Sequence, residues 1–463
     1  MTSTSIPLGG ILLIDRVEKE FGLFSGVFKG VDAGVKDFSR CVKLHVYNKL
    51  THGVSVHQIC ETYPLEIAEY FGLEEMPSER SLYRVVENVG ENLPVLLSRF
   101  QKFVKDKDLI DSKQIIDFSS TYFEGTGGEL AAKGYSRDHR PGNPQITFGL
   151  STGINGIPTA LTIQKGNVQN KTHMKEILEL VSKVCPKNTL LIFDNGANTK
   201  KNKEKIRGMG CQYLTLRAKK VGAYKNHIKG FSLKGDGVEH IVVHERDYYC
   251  LKKKSGREYL YVFFCPQLYQ TSLEVKNRKF ERNKKKGNKM LKKRKNTSLP
   301  SDKGWVNLEP HLQKTLQDLE NPYINGLEGF FILESSLNKT PKEVIKVYKE
   351  RDKAEKFIMA LKDGLEIRPI RHWNKSSVLG ILFISFLANT LINLTQNPIE
   401  KQASGKTPNV KLLKKSLINL TVTIIQIKNR FKTRVVSNIT PKITSVFGEL
   451  PHKYEDKTLK LRW

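Results

Sequence analysis

The stretch QIIDFSST, residues 114–121, packs apolar and β-branched residues into a short run. A run of this length and composition predicts a β-strand. Two similar runs follow at 145–152 (QITFGLST) and 158–166 (PTALTIQKG), and Gly and Pro residues bound them. We therefore predict three consecutive strands, with Asp117 inside the first of them.

The following residues alternate between helical and strand patterns. Residues 171–184 (KTHMKEILELVSKV) and 199–210 have helical character, whereas 189–196 (TLLIFDNG) and 211–217 (CQYLTLR) read as strands. Strands that alternate with helices predict a mixed α/β sheet with helices on its faces. Asp194 ends the fourth strand, where side chains of an open α/β sheet reach a ligand crevice.

Residues 218–339 interrupt this pattern. The segment 240–264 (HIVVHERDYYCLKKKSGREYLYVFF) predicts antiparallel strands with a turn at Ser255 and Gly256, so the interruption is a β-rich insertion. The α/β pattern resumes with a helix in VYKERDKAEKFIMALKDG, residues 347–364, which Thr340 can cap.

That helix carries a distinctive polar stripe. At about 100° per residue, four polar side chains fall within an arc of about 60°. They are Tyr348, Arg351, Glu355 and Lys362. A solvated charged face with Glu/Lys pairs is the ordinary alternative for such a stripe.

Charge points to a polyanionic partner. The 463 residues include 77 Lys and Arg against 47 Asp and Glu, a formal net charge of +30. Such an excess predicts binding to nucleic acid or to an anionic membrane surface. The six cysteines are scattered without a CxxC pair, which favours a reduced cytoplasmic compartment over a disulfide framework or zinc ribbon.

One apolar run, Val378–Leu394, approaches membrane-spanning length. Polar residues interrupt it, so we interpret it as a buried helix lying on a sheet, and we predict no membrane partner and no signal peptide. Nucleic acid is then the expected partner.

The run Lys276–Lys295 holds 12 basic residues in 20, and it is either a surface that follows the DNA backbone or a solvated, mobile face. The predicted DNA contacts in it are Lys284, Lys285, Lys292, Lys293 and Arg294.

Three carboxylates reach the same predicted sheet: Asp117, Asp194 and Glu355. Cleavage of a phosphodiester is accelerated by two divalent ions, about 3.5–4 Å apart, that stabilise the attacking and leaving oxygens. Mg²⁺ prefers carboxylate oxygens, so these residues are candidate metal ligands and catalytic residues. Mn²⁺ is the expected substitute.

The spacing Y-x2-R-x3-E-x6-K from Tyr348 to Lys362 resembles the Y-R-E-K signature of DDE transposases from bacterial and archaeal insertion sequences, the IS-four superfamily. The segments DFSSTYFEG around Asp117 and LLIFDNGANTKKN around Asp194 extend the resemblance over roughly residues 110–395. It implies an RNase H-like catalytic domain in which Asp117, Asp194 and Glu355 bind metal. It also implies that Tyr348, Arg351 and Lys362 contact phosphates of the transposon end. Asn195 departs from the pattern, because many relatives have Arg after the second Asp.

We predict five regions. They are a helical N-terminal domain, 1–105, that binds DNA or is a plain bundle; the first part of the catalytic core, 106–217; the basic insertion, 218–339; the second part of the core, 340–395; and a C-terminal region, 396–463, for dimerisation or DNA contact. The predicted function is that of a prokaryotic, cytoplasmic transposase that acts as a homodimer. It would bind terminal inverted repeats, cleave at the ends and join the 3′ ends to target DNA. The alternatives are an RNase H-like nuclease or resolvase without strand transfer, and a domesticated DNA-binding protein.

Overall fold

The computed structural model describes residues 2–31, 34–125, 127–297, 319–402, 410–427, 431–448 and 450–454. The strands in this part of the chain are β1 (Thr2–Pro7), β2 (Lys113–Tyr122), β3 (Gln145–Gly153), β4 (Pro158–Lys165), β5 (Leu190–Phe193), β6 (Gln212–Leu216), β7 (Val238–Val243), β8 (Arg246–Ser255), β9 (Glu258–Phe264), β10 (Phe330–Ser335), β11 (Thr421–Ile427) and β12 (Phe431–Ser437). The helices are α1 (Gly9–Phe21), α2 (Leu23–Phe28), α3 (Phe38–Leu50), α4 (Ile59–Thr62), α5 (Leu65–Tyr70), α6 (Glu79–Glu91), α7 (Leu93–Asp106), α8 (Asn170–Val184), α9 (Lys200–Gly208), α10 (Val221–Ile228), α11 (Pro266–Thr297), α12 (Pro341–Lys349), α13 (Asp352–Met359), α14 (Lys375–Gln402), α15 (Val410–Asn419) and α16 (Pro441–Phe447). Short 3₁₀ turns occupy Val56–Gln58, Asn195–Ala197 and Leu450–Tyr454, and Ala360–Gly364 forms a π-helical turn.

The chain divides into two compact units. The first comprises Met1–Phe193, Thr199–Cys211 and Glu350–Trp463, and the second comprises Asp194–Asn198 and Gln212–Lys349. The five regions predicted from the sequence form a finer division, which stays a prediction.

The first unit contains a mixed sheet in the order β4-β3-β2-β5. The pairs β4–β3 and β3–β2 are antiparallel, whereas β2 and β5 run parallel. Helix α8 packs on β3 and β4, and α13 packs on β2 and β3. The predicted mixed α/β arrangement with flanking helices is therefore confirmed. A separate three-stranded sheet, β1-β11-β12, joins the two ends of the described chain, a pairing that the sequence pattern did not predict.

Helix α14 lies at the centre of the first unit. Its segment Lys375–Thr395 is long and apolar enough to cross a membrane, yet 83% of the apolar window is buried inside the protein. Its main neighbours are α6, α3 and α1, so the predicted packing of this helix on a sheet was wrong. The N-terminal helices bury the apolar surface of α14, which was predicted to pack on a sheet.

The crossing of α6 and α14 depends on two glycines. A Cβ added to Gly380 would overlap the carbonyl oxygen of Val86, and one added to Gly90 would overlap that of Ser376. The two helix backbones therefore touch directly, and the N-terminal helices share one core with α14 rather than folding around a core of their own.

The second unit contains the five strands β6-β10-β9-β8-β7, whose described pairings are antiparallel. The predicted turn follows Ser255, which pairs with Glu258 across Gly256 and Arg257. Gly256 has φ +59, a value that glycine adopts without strain. The predicted cap by Thr340 at the start of α12 is present, because Glu343 N donates to Thr340 Oγ1 (3.3 Å). Thr340 N in turn donates to Glu343 Oε2 (3.0 Å), which completes a capping box.

The continuous helix predicted for residues 347–364 is interrupted twice. Helix α12 ends at Lys349 and α13 begins at Asp352, and the π-helical turn replaces α-helical geometry from Ala360. At the first break the backbone makes tighter i→i+3 bonds, from Lys353 N to Glu350 O (2.9 Å) and from Ala354 N to Arg351 O (3.1 Å). The single arc calculated from Tyr348 to Lys362 was therefore wrong, because it assumed 100° per residue throughout.

Candidate active site

Asp117 lies in the middle of β2, where it pairs with Leu150 of β3. The residue is half-buried, and burial raises the pKa of its carboxyl group to about 6. The positive charge of Arg351 opposes this increase, and the negative charge of Glu355 adds to it. The first unit thus brings Asp117, Arg351 and Glu355 within electrostatic range of one another.

Glu355 projects from the first turn of α13 and is held by the residue that precedes that helix. Arg351 Nη2 donates to Glu355 Oε1 at 2.6 Å, with the two side chains 21% and 45% exposed. A charge-assisted bond of this length at i,i+4 orients the carboxylate. Glu355 remains accessible enough to bind a further group.

Asp194 directly follows Phe193, the last residue of β5, and belongs to the second unit. In the parallel register Phe193 pairs with Ile116, the residue before Asp117. Among the side chains that the structure describes, no group of three or more His, Cys, Asp and Glu residues is close enough to hold a metal ion. The joint role of Asp117, Asp194 and Glu355 therefore stays a prediction.

The chemistry of Asp117 and Glu355 nevertheless suits a divalent cation. Both supply carboxylate oxygens, the donors that Mg²⁺ and Mn²⁺ prefer. The negative charge of Glu355 disfavours ionisation of Asp117, and a nearby cation would relieve that repulsion.

Lys362 occupies a different environment from the one predicted. Its ammonium group, 8% exposed, donates to Asp138 Oδ1 at 2.8 Å. The phosphate contact predicted for Lys362 stays a prediction. Tyr348 lies on α12 in the second unit, and its side chain is partly buried.

Two further residues near this site come from the loop after β2, in the sequence SRDHRPG. The charge of Arg137 acts on Asp117, and its guanidinium donates to Asn170 Oδ1 at 2.9 Å. The neighbouring Asp138 is the buried partner of Lys362. The sequence analysis singled out neither Arg137 nor Asp138, since a charged loop gives no pattern that reveals which members are buried.

The basic run Lys276–Lys295 lies on helix α11. Lys285 is exposed, and so are Arg278, Arg282, Lys286 and Lys289 on the same helix. Lys284 is less exposed, and its ammonium lies 5.8 Å from the centre of the Phe280 ring. The side chains of Lys292, Lys293 and Arg294 lie outside the described part of the structure.

Comparison with known proteins decides the family. The family described as "Transposase DDE domain" matches residues 110–391, more than half of the chain. The chain belongs to the DDE transposase family. This membership indicates a DNA transposase, a metal-dependent enzyme that cleaves and joins DNA, with DNA as its partner.

Other comparisons find more distant similarity. No curated protein sequence matches the chain. Among solved structures, a similar one is described as the cryo-EM structure of piggyBac transposase synaptic complex with hairpin DNA. It has 9% sequence identity and a TM-score of 0.40, covering 98% of this chain and 83% of that chain.

Proposed function

We propose that this DDE transposase mobilises a prokaryotic insertion sequence of the Y-R-E-K branch. It would bind the terminal inverted repeats, cleave at the ends and join the freed 3′ ends to target DNA. The electrostatic coupling of Asp117 with Glu355, inside the segment that matches the transposase family, is the observation that carries this proposal. A cytoplasmic location follows from a prokaryotic host.

In an RNase H-like core, Asp117, Asp194 and Glu355 would hold Mg²⁺, with Mn²⁺ as substitute. When bound, the metal stabilises negative charge on the attacking and leaving oxygens of an in-line phosphoryl transfer. The protein's own contribution is orientation: Arg351 fixes the Glu355 carboxylate at 2.6 Å. A carboxyl group with a pKa of about 6 is mostly ionised at pH 7, so Asp117 is ready to act as a ligand there.

The large excess of positive charge in the chain suits a DNA substrate. Tyr348 and Arg351 would contact phosphates of the transposon end, and the same role was predicted for Lys362. Helix α11 would follow the DNA backbone with Lys284, Lys285, Lys292, Lys293 and Arg294. A homodimer would hold two transposon ends together. The proposed DNA contact of α11 is supported by its exposed lysines, whose side chains are open to solvent over several turns of the helix.

The test of the proposed function is a cleavage assay on DNA that carries the inverted repeats flanking the gene. With Mg²⁺ we expect specific breaks at the repeat ends, and pre-cut ends should be joined to a target plasmid. End-specific cleavage without joining would instead identify a nuclease or resolvase. Binding without cleavage in either Mg²⁺ or Mn²⁺ would identify a domesticated DNA-binding protein.

A second prediction concerns helix α11. Replacing Lys285, Lys286 and Lys289 with Ala should weaken binding on all DNA sequences and reduce the slope of log K against log salt by about 1 for each lost phosphate contact. The matched control replaces Lys107, Lys183 and Lys187 with Ala. These lysines are exposed in the first unit, and their replacement removes the same amount of charge. The measurement is DNA affinity across a salt series. Equal slopes for the two triple variants would show that α11 attracts DNA only through net charge.

A further inference from the structure

An ion-pair cluster with a buried centre lies beside the candidate active site in the first unit. Asp138 Oδ1 accepts from Lys362 Nζ at 2.8 Å and from Arg368 Nη1 at 2.7 Å, and the Asp138 side chain is only 2% exposed. Arg368 also pairs with Asp363. The buried Asp138 carboxylate is thus paired with two cations, and removal of either partner of such a buried pair is strongly destabilising.

The cluster connects two segments that carry candidate metal ligands. Asp138 belongs to the loop after β2, the strand of Asp117, whereas Lys362 and Asp363 lie in the π-helical turn directly after α13, the helix of Glu355. The loop is also tied to β2, because the backbone N–H of Arg137 donates to Ser120 Oγ at 3.1 Å. One loop therefore contacts both the Asp117 strand and the end of the Glu355 helix.

Lys362 lies inside the π-helical turn and pairs with Asp138 from there. Leu365 N donates to Ala360 O at 2.9 Å, an i→i+5 bond. This geometry places more residues in one turn than an α-helix does. Such turns inside helices are frequent at functional sites. Burial lowers the pKa of Lys362, and the hydrogen bond and negative charge of Asp138 oppose that decrease.

We propose that Asp138 is a positioning residue for Glu355, and that Lys362 is its buried counter-ion rather than a phosphate contact. The cluster would fix the end of α13 against the loop after β2, and so set the distance between Glu355 and Asp117. This inference rests on the proposed role of Glu355 as a metal ligand. A displacement of about 1 Å at a reacting centre costs about 100-fold in rate, so a positioning residue without substrate contact has a large measurable effect.

The test compares Asp138→Asn and Lys362→Met in the full chain with the wild type. Both variants should lose about 100-fold in cleavage rate and bind Mn²⁺ about 10–100-fold more weakly, measured by titration without DNA. Affinity for end DNA and its salt slope should stay at wild-type values. The double variant should be no worse than the more defective single one, because both substitutions break the same unit. Lys362→Arg keeps a cation beside Asp138, so its Mn²⁺ affinity should stay within about a few-fold of the wild-type affinity.

Two outcomes would overturn the inference. One is a Lys362→Met variant that binds end DNA more weakly, with a salt slope reduced by about 1, while Asp138→Asn keeps wild-type Mn²⁺ binding. The other is wild-type cleavage by Asp138→Asn. If Asp138→Asn does not fold, Lys362→Gln carries the same measurements. Glu355→Gln, measured in parallel, separates the two proposals. Wild-type Mn²⁺ binding and cleavage by Glu355→Gln would refute the proposed function itself. A defect in Glu355→Gln that Asp138→Asn and Lys362→Met do not share would refute only the role of Asp138.

Discussion

Glu355→Gln should abolish cleavage and strand transfer, by about 1000-fold or more, while binding of end DNA stays close to the wild-type level. The substitution keeps the shape of the side chain and removes the charge that would hold a divalent ion. Loss of metal-mediated charge stabilisation costs several kcal/mol in the transition state, which corresponds to a rate loss of at least that size. DNA binding should not weaken, because the carboxylate repels the phosphates rather than attracting them.

Arg351→Ala, at the residue directly before the helix of Glu355, provides the matched contrast. Arg351 donates to Glu355 at 2.6 Å and its charge acts on Asp117, so its removal leaves both carboxylates in place but less well oriented. We expect weaker binding of end DNA together with a partial loss of cleavage. Glu355→Gln should thus fail in cleavage alone, whereas Arg351→Ala should be impaired in both DNA binding and cleavage.

Asp194→Asn tests the carboxylate that lies in the second unit. If the three carboxylates serve one metal site, Asp117→Asn and Asp194→Asn should reproduce the Glu355→Gln result, because ligands of one site fail alike. The measurements are a gel assay of end-DNA binding beside cleavage of uncut and pre-cut ends. Near wild-type cleavage by Glu355→Gln would remove this residue from the metal site and return it to the charged-surface interpretation.

The strands of the mixed sheet could be predicted because they are short and β-branched, with glycines and prolines between them. Asp117 could be found for the same reason, since it stands within such a run. The interruption of the Glu355 helix could not be predicted. Charged and apolar residues keep their helical spacing in the sequence through Glu350 and Arg351. The break after Lys349 is visible only in the backbone hydrogen bonds of the structure.

Contacts between distant segments were equally inaccessible from the sequence. Asp138 and Lys362 are separated by 224 residues, and each is a common surface residue type. The same holds for the pairing of Thr2–Pro7 with Thr421–Ile427, because a local pattern does not show which distant segment a strand pairs with. Local pattern thus predicts elements, while the burial of a charge depends on what the rest of the fold places beside it.

Asp117→Asn should stabilise the protein at neutral pH in the absence of divalent ions, even though it should abolish cleavage. Burial raises the pKa of Asp117 to about 6 from an ordinary value of 3.8, so the ionised form is disfavoured in the folded state. As pH rises from about 4 to about 6, the unfolded chain releases this proton first and stability falls. Above pH 6 the full cost, at most about 3 kcal/mol, is present, and Asn removes it.

The measurement is urea or thermal unfolding from pH 3.5 to pH 8 with a chelator, using the exposed Asp108→Asn as control. The advantage of Asp117→Asn over the wild type should be near zero at the lowest pH, where the Asp117 carboxyl is mostly protonated in both states, and should reach its maximum above pH 6. Added Mn²⁺ should stabilise the wild type and not Asp117→Asn, because only an ionised carboxylate binds the metal in the folded state. An Asp117→Asn variant that is less stable than the wild type at pH 7 would show that the neighbouring Arg351 and Arg137 already compensate the charge. In that case the carboxylate would serve the fold, and its assignment as a metal ligand would lose its main physical support.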